Sequence, residues 1–175
     1  MRLLLPILLL TLTASTSFAQ EHVGHDTHSP YAADTSRLIK ALAPDDIDGL
    51  LEGRGMGFAL AAELNGYPGP LHVLELADDL SLTEAQLTTI QQIRTAMQME
   101  AQVLGTDVVE METHLDTLFA DARATSDDID RMTAHIAEVK GKLRAVHLRA
   151  HVATRSTLTF EQVALYNRLR GYTTD

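Results

Sequence analysis

The chain has 175 residues, with 24 acidic and 14 basic side chains, a formal net charge of −10 and no cysteine. The lack of cysteine excludes a disulfide framework and a thiol nucleophile. So acidic a chain is a poor partner for nucleic acid or an anionic membrane, and it suits cationic partners such as metal ions.

The first residues have the pattern of a secretory signal peptide. A short basic start precedes an apolar stretch, and small residues end it at Ala19, so residues 1–19 are predicted to be removed. The apolar stretch is shorter than the about 20 residues that a membrane-spanning helix needs. We therefore expect a periplasmic protein, with a flexible polar arm at 20–33 and one helical domain at 34–172.

Four short helices are predicted at the start of this domain, before the long ones. Pro44 separates the first two, an Asn-Gly pair ends the third, and Pro70 opens the fourth. Their predicted ranges are 35–41, 45–51, 58–64 and 70–79.

Two long helices dominate the rest of the domain. Apolar residues recur at steps of three and four from Ile90 to Leu118 and again from Ile129 to Ala153. This spacing is the seam of a coiled coil, and the short connection at 120–125 requires an antiparallel pair. The predicted fold is all-α, a long antiparallel helical hairpin with short flanking helices. Because so thin a hairpin leaves apolar area exposed, we expect a homodimer.

A five-residue phrase, Leu-Thr-x-x-Gln, occurs twice and predicts two helix starts. In each copy the threonine is the N-cap, and the side chain of the glutamine three residues later accepts a hydrogen bond from the N–H of the cap residue. The residues are Thr83 with Gln86, and Thr159 with Gln162. We expect each threonine to contribute about 1 kcal/mol and each glutamine less.

These two phrases, with the stretches 53–86 and 143–172, resemble the periplasmic Spy/CpxP family, which includes heavy-metal sensors of the CnrX type. The resemblance implies an all-α protein that forms cradle-shaped antiparallel dimers. Sensors of the CnrX type bind nickel or cobalt through histidines, a glutamate and a methionine. Spy-type members hold unfolded client proteins without ATP. The Spy cradle is described as basic, so the acidity of this chain weighs against the chaperone alternative.

No catalytic motif occurs in the chain, so a non-enzymatic function is expected. Histidine carries the main functional signal, with eight in the chain. His147 and His151 are four residues apart beside the seam of the second long helix, a spacing that suits two-point binding of nickel, cobalt, copper or zinc. A carboxylate from the facing helix or a partner chain is the expected third ligand. The arm histidines, His22, His25 and His28, form a second and weaker predicted metal site.

Each signal also has an ordinary structural explanation. Paired exposed histidines are often only polar side chains in contact with water. The nearby cations Arg144, Arg149 and Arg155 also disfavour a bound metal ion. Seam methionines are better explained by core packing. Three functions follow from the residues and the resemblance: a heavy-metal-binding or sensing protein of the envelope stress or metal resistance response, an ATP-independent holdase, and a regulatory partner of an inner-membrane signalling protein.

Overall fold

The computed structural model describes residues 29–173, and it confirms the all-α class because this range contains no β-strand. The signal segment and the arm histidines His22, His25 and His28 lie outside the described residues. A 3-10 helix at Ala32–Ser36 comes first in the described range. It is followed by α1 (Pro44–Glu52), α2 (Leu60–Glu63), α3 (Pro70–Glu75), α4 (Glu84–Ala120), α5 (Ser126–Thr157) and α6 (Phe160–Leu169).

The two long helices, α4 and α5, form the antiparallel pair that the spacing predicts. They have 37 and 32 residues, which correspond to about 55 and 48 Å of helix. Contacts along the pair fix its direction. Lys140 bonds Glu112 at 2.6 Å near the connection, whereas Gln86 at the start of α4 reaches the carbonyl of Thr157 at the end of α5.

Two hydrophobic clusters hold the shorter elements against this pair. The first contains α1 and the segment before it, packed on the middle of α4 and α5, with Leu50, Val108 and Leu143 fully buried. The second joins α3, α6 and the start of α4 around Val73, Ile90 and Tyr166. The short helices therefore exist because each covers part of the apolar face of the long pair, and not through their own propensity.

A glycine sets the closest approach between elements. A Cβ added at Gly105 of α4 would lie 2.0 Å from the carbonyl oxygen of Leu50 in α1. No side chain fits in that space, so the backbone of α1 rests directly on α4. This contact sets the position of the last turn of α1 relative to α4.

The repeated phrase builds the starts of α4 and α6 as capping boxes. The Thr83 hydroxyl accepts from the Gln86 N–H at 3.2 Å, and the Gln86 side chain accepts from the Thr83 N–H at 3.0 Å. The second copy repeats this geometry, at 3.2 Å for the threonine acceptor and 2.9 Å for the glutamine acceptor, between Thr159 and Gln162.

The two capping boxes also contact each other. The Gln86 amide donates to the Gln162 side chain at 2.8 Å, and the Gln162 amide donates back at 3.1 Å. Each amide also donates to a backbone carbonyl just before the other capping box, Gln86 to Thr157 at 3.0 Å and Gln162 to Leu80 at 3.2 Å. We call this pair of side chains the glutamine clasp. The glutamines have more hydrogen-bond partners than capping alone gives them, so their loss is now expected to cost more than the loss of the threonines.

Two of the predicted short helices differ from the structure. The chain at 37–43 turns irregularly instead of forming a helix over 35–41, and it buries Ile39 and Leu42 in the first cluster. A helix this short has too few internal hydrogen bonds to resist the packing of two large side chains. The predicted helix over 70–79 ends at Glu75, and turns lead from there to α4.

No helix in the range 29–173 combines the length and the apolar character needed to cross a bilayer.

Candidate functional site

A cleft of about 520 Å³ opens between the segment 52–72 and the facing sides of α4 and α5. Histidines from two elements line it, together with two carboxylates and two methionines. Its polar and sulfur-bearing lining residues include His72, His147, His151, Glu63, Met56 and Met97. We call it the histidine cleft. It gathers side chains from α2, α3, α4 and α5, from the segment before α2 and from the residues after α6.

His147 lies in the core, which corrects the expectation that it sits beside the seam. The side chain is 2% exposed and stacks on Phe58 with ring centroids 5.6 Å apart. The buried face of α5 continues to Thr154, while the expected seam residue Ala153 is exposed. His147 and Thr154 are seven residues apart, so both fall on the face that packs against α4.

The imidazole of His147 has an unused nitrogen. Its Nε2 is buried and has no hydrogen-bond partner. Burial first, and the neighbouring His151 second, lower the pKa of His147 below its ordinary value. The ring is therefore neutral at neutral pH, and a neutral imidazole is the form that binds metals.

His151 is oriented by the backbone one helical turn away from His147. Its Nδ1 lies 2.7 Å from the carbonyl oxygen of Tyr67. Because a carbonyl can only accept, Nδ1 carries the proton and Nε2 keeps its lone pair. A backbone carbonyl on one ring nitrogen is the usual arrangement that holds a metal-binding histidine in position.

Glu63 is the buried carboxylate of the cleft, with only 6% of its surface exposed. It accepts a hydrogen bond from the Gly69 N–H at 3.0 Å, from the Tyr172 hydroxyl at 3.0 Å and from the Tyr166 hydroxyl. The Nδ1 atom of His72 lies 3.4 Å away and that of His151 3.6 Å away. Glu63 thus connects α2 with α3, α5, α6 and the residues after α6.

The hydrogen-bond donors around Glu63 determine the direction of its pKa shift. Burial alone raises the pKa of Glu63, but the hydrogen bonds from Tyr166 and Tyr172, the charge of His72 and the Gly69 N–H outweigh it, so the net pKa is lowered. Burial and the bond to Glu63 raise the pKa of Tyr166. Tyr166 is therefore a neutral, permanent donor to an ionised carboxylate.

Gly69 leaves the space that these side chains occupy. A Cβ at this position would lie 3.0 and 3.1 Å from Cε1 and Nε2 of His151, and 3.4 Å from Oε2 of Glu63. A larger residue would press on both groups. The glycine therefore lets the imidazole and the carboxylate share one side of the cleft.

The cations near the cleft are not those expected from the helix spacing. Arg149 pairs with Glu100 at 3.0 Å, and the cleft is lined by Arg54, Arg94 and Arg170. Arg54 is bound to Asp45 at 3.0 Å and to Glu52 at 3.3 Å. Opposite charges thus offset this guanidinium, which reduces its repulsion of a bound cation.

The structure brings His147 and His151 into one cleft and adds groups that the sequence did not assign to the site, among them Glu63 and His72. Tyr166 bonds Glu63 from behind the lining. The isolated glutamate in the apolar run 58–64 was the available signal for Glu63, because a carboxylate in such a run needs buried partners. Among the described residues, no three His, Asp or Glu side chains are arranged to hold a metal ion. The donor types fit such an ion, and their present arrangement does not complete a site.

Comparisons of this chain with family models, with curated proteins and with solved structures find no match. The likeness to the Spy/CpxP family therefore rests on the repeated phrase and its flanking stretches.

Proposed function

We propose that this is a periplasmic, non-enzymatic protein that binds a divalent transition metal at the histidine cleft, in a metal or envelope stress response. The observation that carries the proposal is the pair His147 and His151. The two imidazoles lie one turn apart on α5, they line the same cleft, and both keep an Nε2 without a partner among the described residues. In this proposal the Tyr67 carbonyl orients the His151 ring through Nδ1 and leaves Nε2 to bind the metal.

Glu63 is the third ligand in this proposal. Two imidazoles alone hold a metal weakly, and Oε2 of the buried Glu63 lies on the same side of the cleft as Nε2 of His151, since the two atoms would be 3.4 and 3.1 Å from a Cβ added at Gly69. This replaces the expected carboxylate from the facing helix or a partner chain. Glu63 must shift to act as this ligand, because no three His, Asp or Glu side chains of the described residues are now arranged around one ion.

The donor set selects the class of metal. Imidazole with carboxylate suits zinc, nickel, copper and cobalt, and the chain has no cysteine to favour softer ions. Binding should weaken below about pH 6, where protons compete for imidazole.

Calorimetric titration of the chain from residue 20 onward tests the proposal. The variant His147→Ala/His151→Ala should lose the tighter binding step, and deletion of 20–29 should remove only a weaker one. The double variant His114→Ala/His135→Ala is the matched control, because both side chains are exposed histidines on the long helices away from the cleft. Equal stoichiometry and affinity in the cleft variant and this control would refute metal binding at the cleft.

A homodimer with holdase activity is the second candidate function. It is supported by exposed apolar side chains concentrated between residues 51 and 71, each 41% to 55% exposed. They are Leu51, Met56, Leu60, Leu64, Tyr67 and Leu71. Such a surface suits a second copy or an unfolded client. Light scattering that gives a monomer mass at tens of micromolar, with no suppression of client aggregation, would exclude both.

A further inference from the structure

The histidine cleft is larger than a single metal ion needs. Its volume of about 520 Å³ falls within the range of about 300–1,000 Å³ that is typical of sites for small organic molecules. Most of its lining surface is apolar, and Met97, Leu71 and Pro70 contribute to it. A cleft with this size and these walls can hold an organic molecule, whether or not a metal ion is present.

Met56 forms another part of the apolar wall, on the segment between α1 and α2. Its backbone has a φ of 42°, which is uncommon for a residue with a side chain. The side chain lines the cleft and rests on α1, where a Cβ added at Gly49 would lie 2.7 Å from its sulfur. The backbone thus keeps an unfavoured conformation that places an apolar side chain, 41% exposed, at the cleft.

Two guanidinium groups line the same cleft without an ion-pair partner among the described residues. Arg94 on α4 is half-buried and makes no hydrogen bond or ion pair within residues 29–173. Arg170, which follows α6, lies 5.8 Å from the ring centroid of Tyr172 and donates to its hydroxyl at 3.4 Å. In a chain with a net charge of −10, two such cations at one cleft provide binding points for an anion.

The carboxylates that line the cleft leave Arg94 available. Glu52 pairs with Arg54 at 3.3 Å. Glu63 accepts hydrogen bonds from a backbone N–H and from two tyrosine hydroxyls. Because Glu63 also keeps one negative charge in the cleft, an anion with a single charge is favoured over a doubly charged phosphate group.

We infer that the histidine cleft binds a small organic carboxylate with an apolar body, whose head group pairs with Arg94 and whose body lies against Met56 and Met97. A guanidinium can donate two parallel hydrogen bonds to a carboxylate, which a neutral polar head group does not match. The inference uses residues other than the proposed metal ligands, and it goes beyond the proposed function because it needs no metal ion.

Calorimetric titration of the chain from residue 20 onward with sodium octanoate, in buffer freed of metal ions by a chelating resin, tests the inference. We expect saturable binding of one octanoate per chain. Acetate and 1-octanol should each bind at least about tenfold more weakly, because acetate lacks the apolar body and octanol lacks the charge.

The variant Arg94→Gln keeps a polar side chain and removes the positive charge. It should weaken octanoate binding about tenfold, because a hydrogen bond between charged groups is lost. Arg155→Gln is the matched control. Arg155 is also half-buried and has no ion pair with a described residue, but it lies outside the lining of the cleft.

The outcomes test this inference separately from the proposed function. Octanoate binding that weakens in Arg94→Gln and not in Arg155→Gln supports the inference. The absence of octanoate binding, equal affinities in the two variants, or octanol binding as tight as octanoate binding overturns it. Zn²⁺ uptake without octanoate binding refutes only this inference, whereas octanoate binding without Zn²⁺ uptake refutes only the metal site.

Discussion

The glutamine clasp and the histidine cleft are both built from residues far apart in sequence, yet they satisfy their polar atoms in opposite ways. In the clasp, each amide oxygen accepts from a capping N–H and from the other amide, and each amide nitrogen donates to two acceptors. The side chains of Gln86 and Gln162 therefore satisfy their donors and acceptors. In the cleft, several donors converge on the one carboxylate of Glu63, and the Nε2 of His147 has no partner.

The difference fits the proposed function, in which the clasp serves stability and the cleft serves binding. A network in which each group has its partner stabilises one structure, because any rearrangement leaves a buried group unpaired. A region with an unused acceptor and a shared carboxylate has arrangements of similar energy, and a ligand can select among them. Substitutions in the clasp should therefore change the free energy of unfolding. In the cleft, substitution of Glu63 should also change the free energy of unfolding, whereas substitution of His147 and His151 should change metal affinity.

The largest effect is expected when the carboxylate of the cleft is removed. Glu63→Leu leaves the Gly69 N–H without its acceptor and leaves the buried Tyr166 hydroxyl only the longer contact to His72 Nδ1 at 3.4 Å, which should lower the free energy of unfolding by roughly 3 kcal/mol. Urea denaturation measures the loss. Glu110→Leu, on an exposed position of α4, is the control. Equal midpoints for the two variants would show that Glu63 has no structural role.

The clasp should give the next largest effect. Gln86→Ala removes the hydrogen bonds to Thr83, Thr157 and Gln162 and should cost about 2 kcal/mol. Adding Gln162→Ala should cost less than a second independent loss, because the two side chains share bonds. A double-mutant cycle with exposed Gln91→Ala as the control measures this. Strict additivity would mean that the two glutamines act only as separate caps.

The capping threonines should matter less than the glutamines. Thr83→Ala and Thr159→Ala each remove one acceptor for a backbone N–H, at 3.2 Å in both copies, and should cost about 1 kcal/mol. Serine at the same positions should restore most of the stability. Thermal unfolding midpoints compare the series, and a threonine loss larger than the glutamine loss would reverse the order proposed for the clasp.

The smallest effect concerns the pH dependence that the buried histidine adds. Because the pKa of His147 is lowered in the folded chain, the unfolded chain binds more protons below about pH 6.5. His147 therefore contributes its full stabilisation above about pH 6.5, and this contribution is lost as the pH falls below that value. His147→Phe, which can stack on Phe58, should remove this slope, while exposed His135→Phe should keep it. Urea midpoints between pH 8 and 5.5 provide the comparison.

Local patterns were sufficient to predict the long helices and their caps, because these depend on neighbours within a few residues. The spacing of apolar residues gave α4 and α5, and the repeated phrase gave the starts of α4 and α6. The helix predicted over 35–41 was wrong because distant packing of Ile39 and Leu42 overrides a weak local preference.

The contacts that define the clasp and the cleft could not be read from spacing. Gln86 and Gln162 are 76 residues apart, and Glu63 and Tyr166 are 103 residues apart. Periodicity treats histidine as polar, so it placed His147 beside the seam, although stacking on Phe58 lets the ring enter the core. The pair His147 and His151 was visible in the sequence, while its surroundings depend on how α2 and α6 fold back.

The bond between Glu63 and Tyr172 joins residues 109 positions apart, and this separation orders events as the chain is made. The hairpin of α4 and α5 can form progressively from its connection, where Lys140 and Glu112 are only 28 residues apart, whereas closing a loop of 109 residues is slower. Until residue 172 has emerged from the ribosome, the Glu63 wall of the cleft is incomplete. A growing or truncated chain therefore carries the helices without the finished cleft, which delays its binding behaviour until synthesis is nearly over.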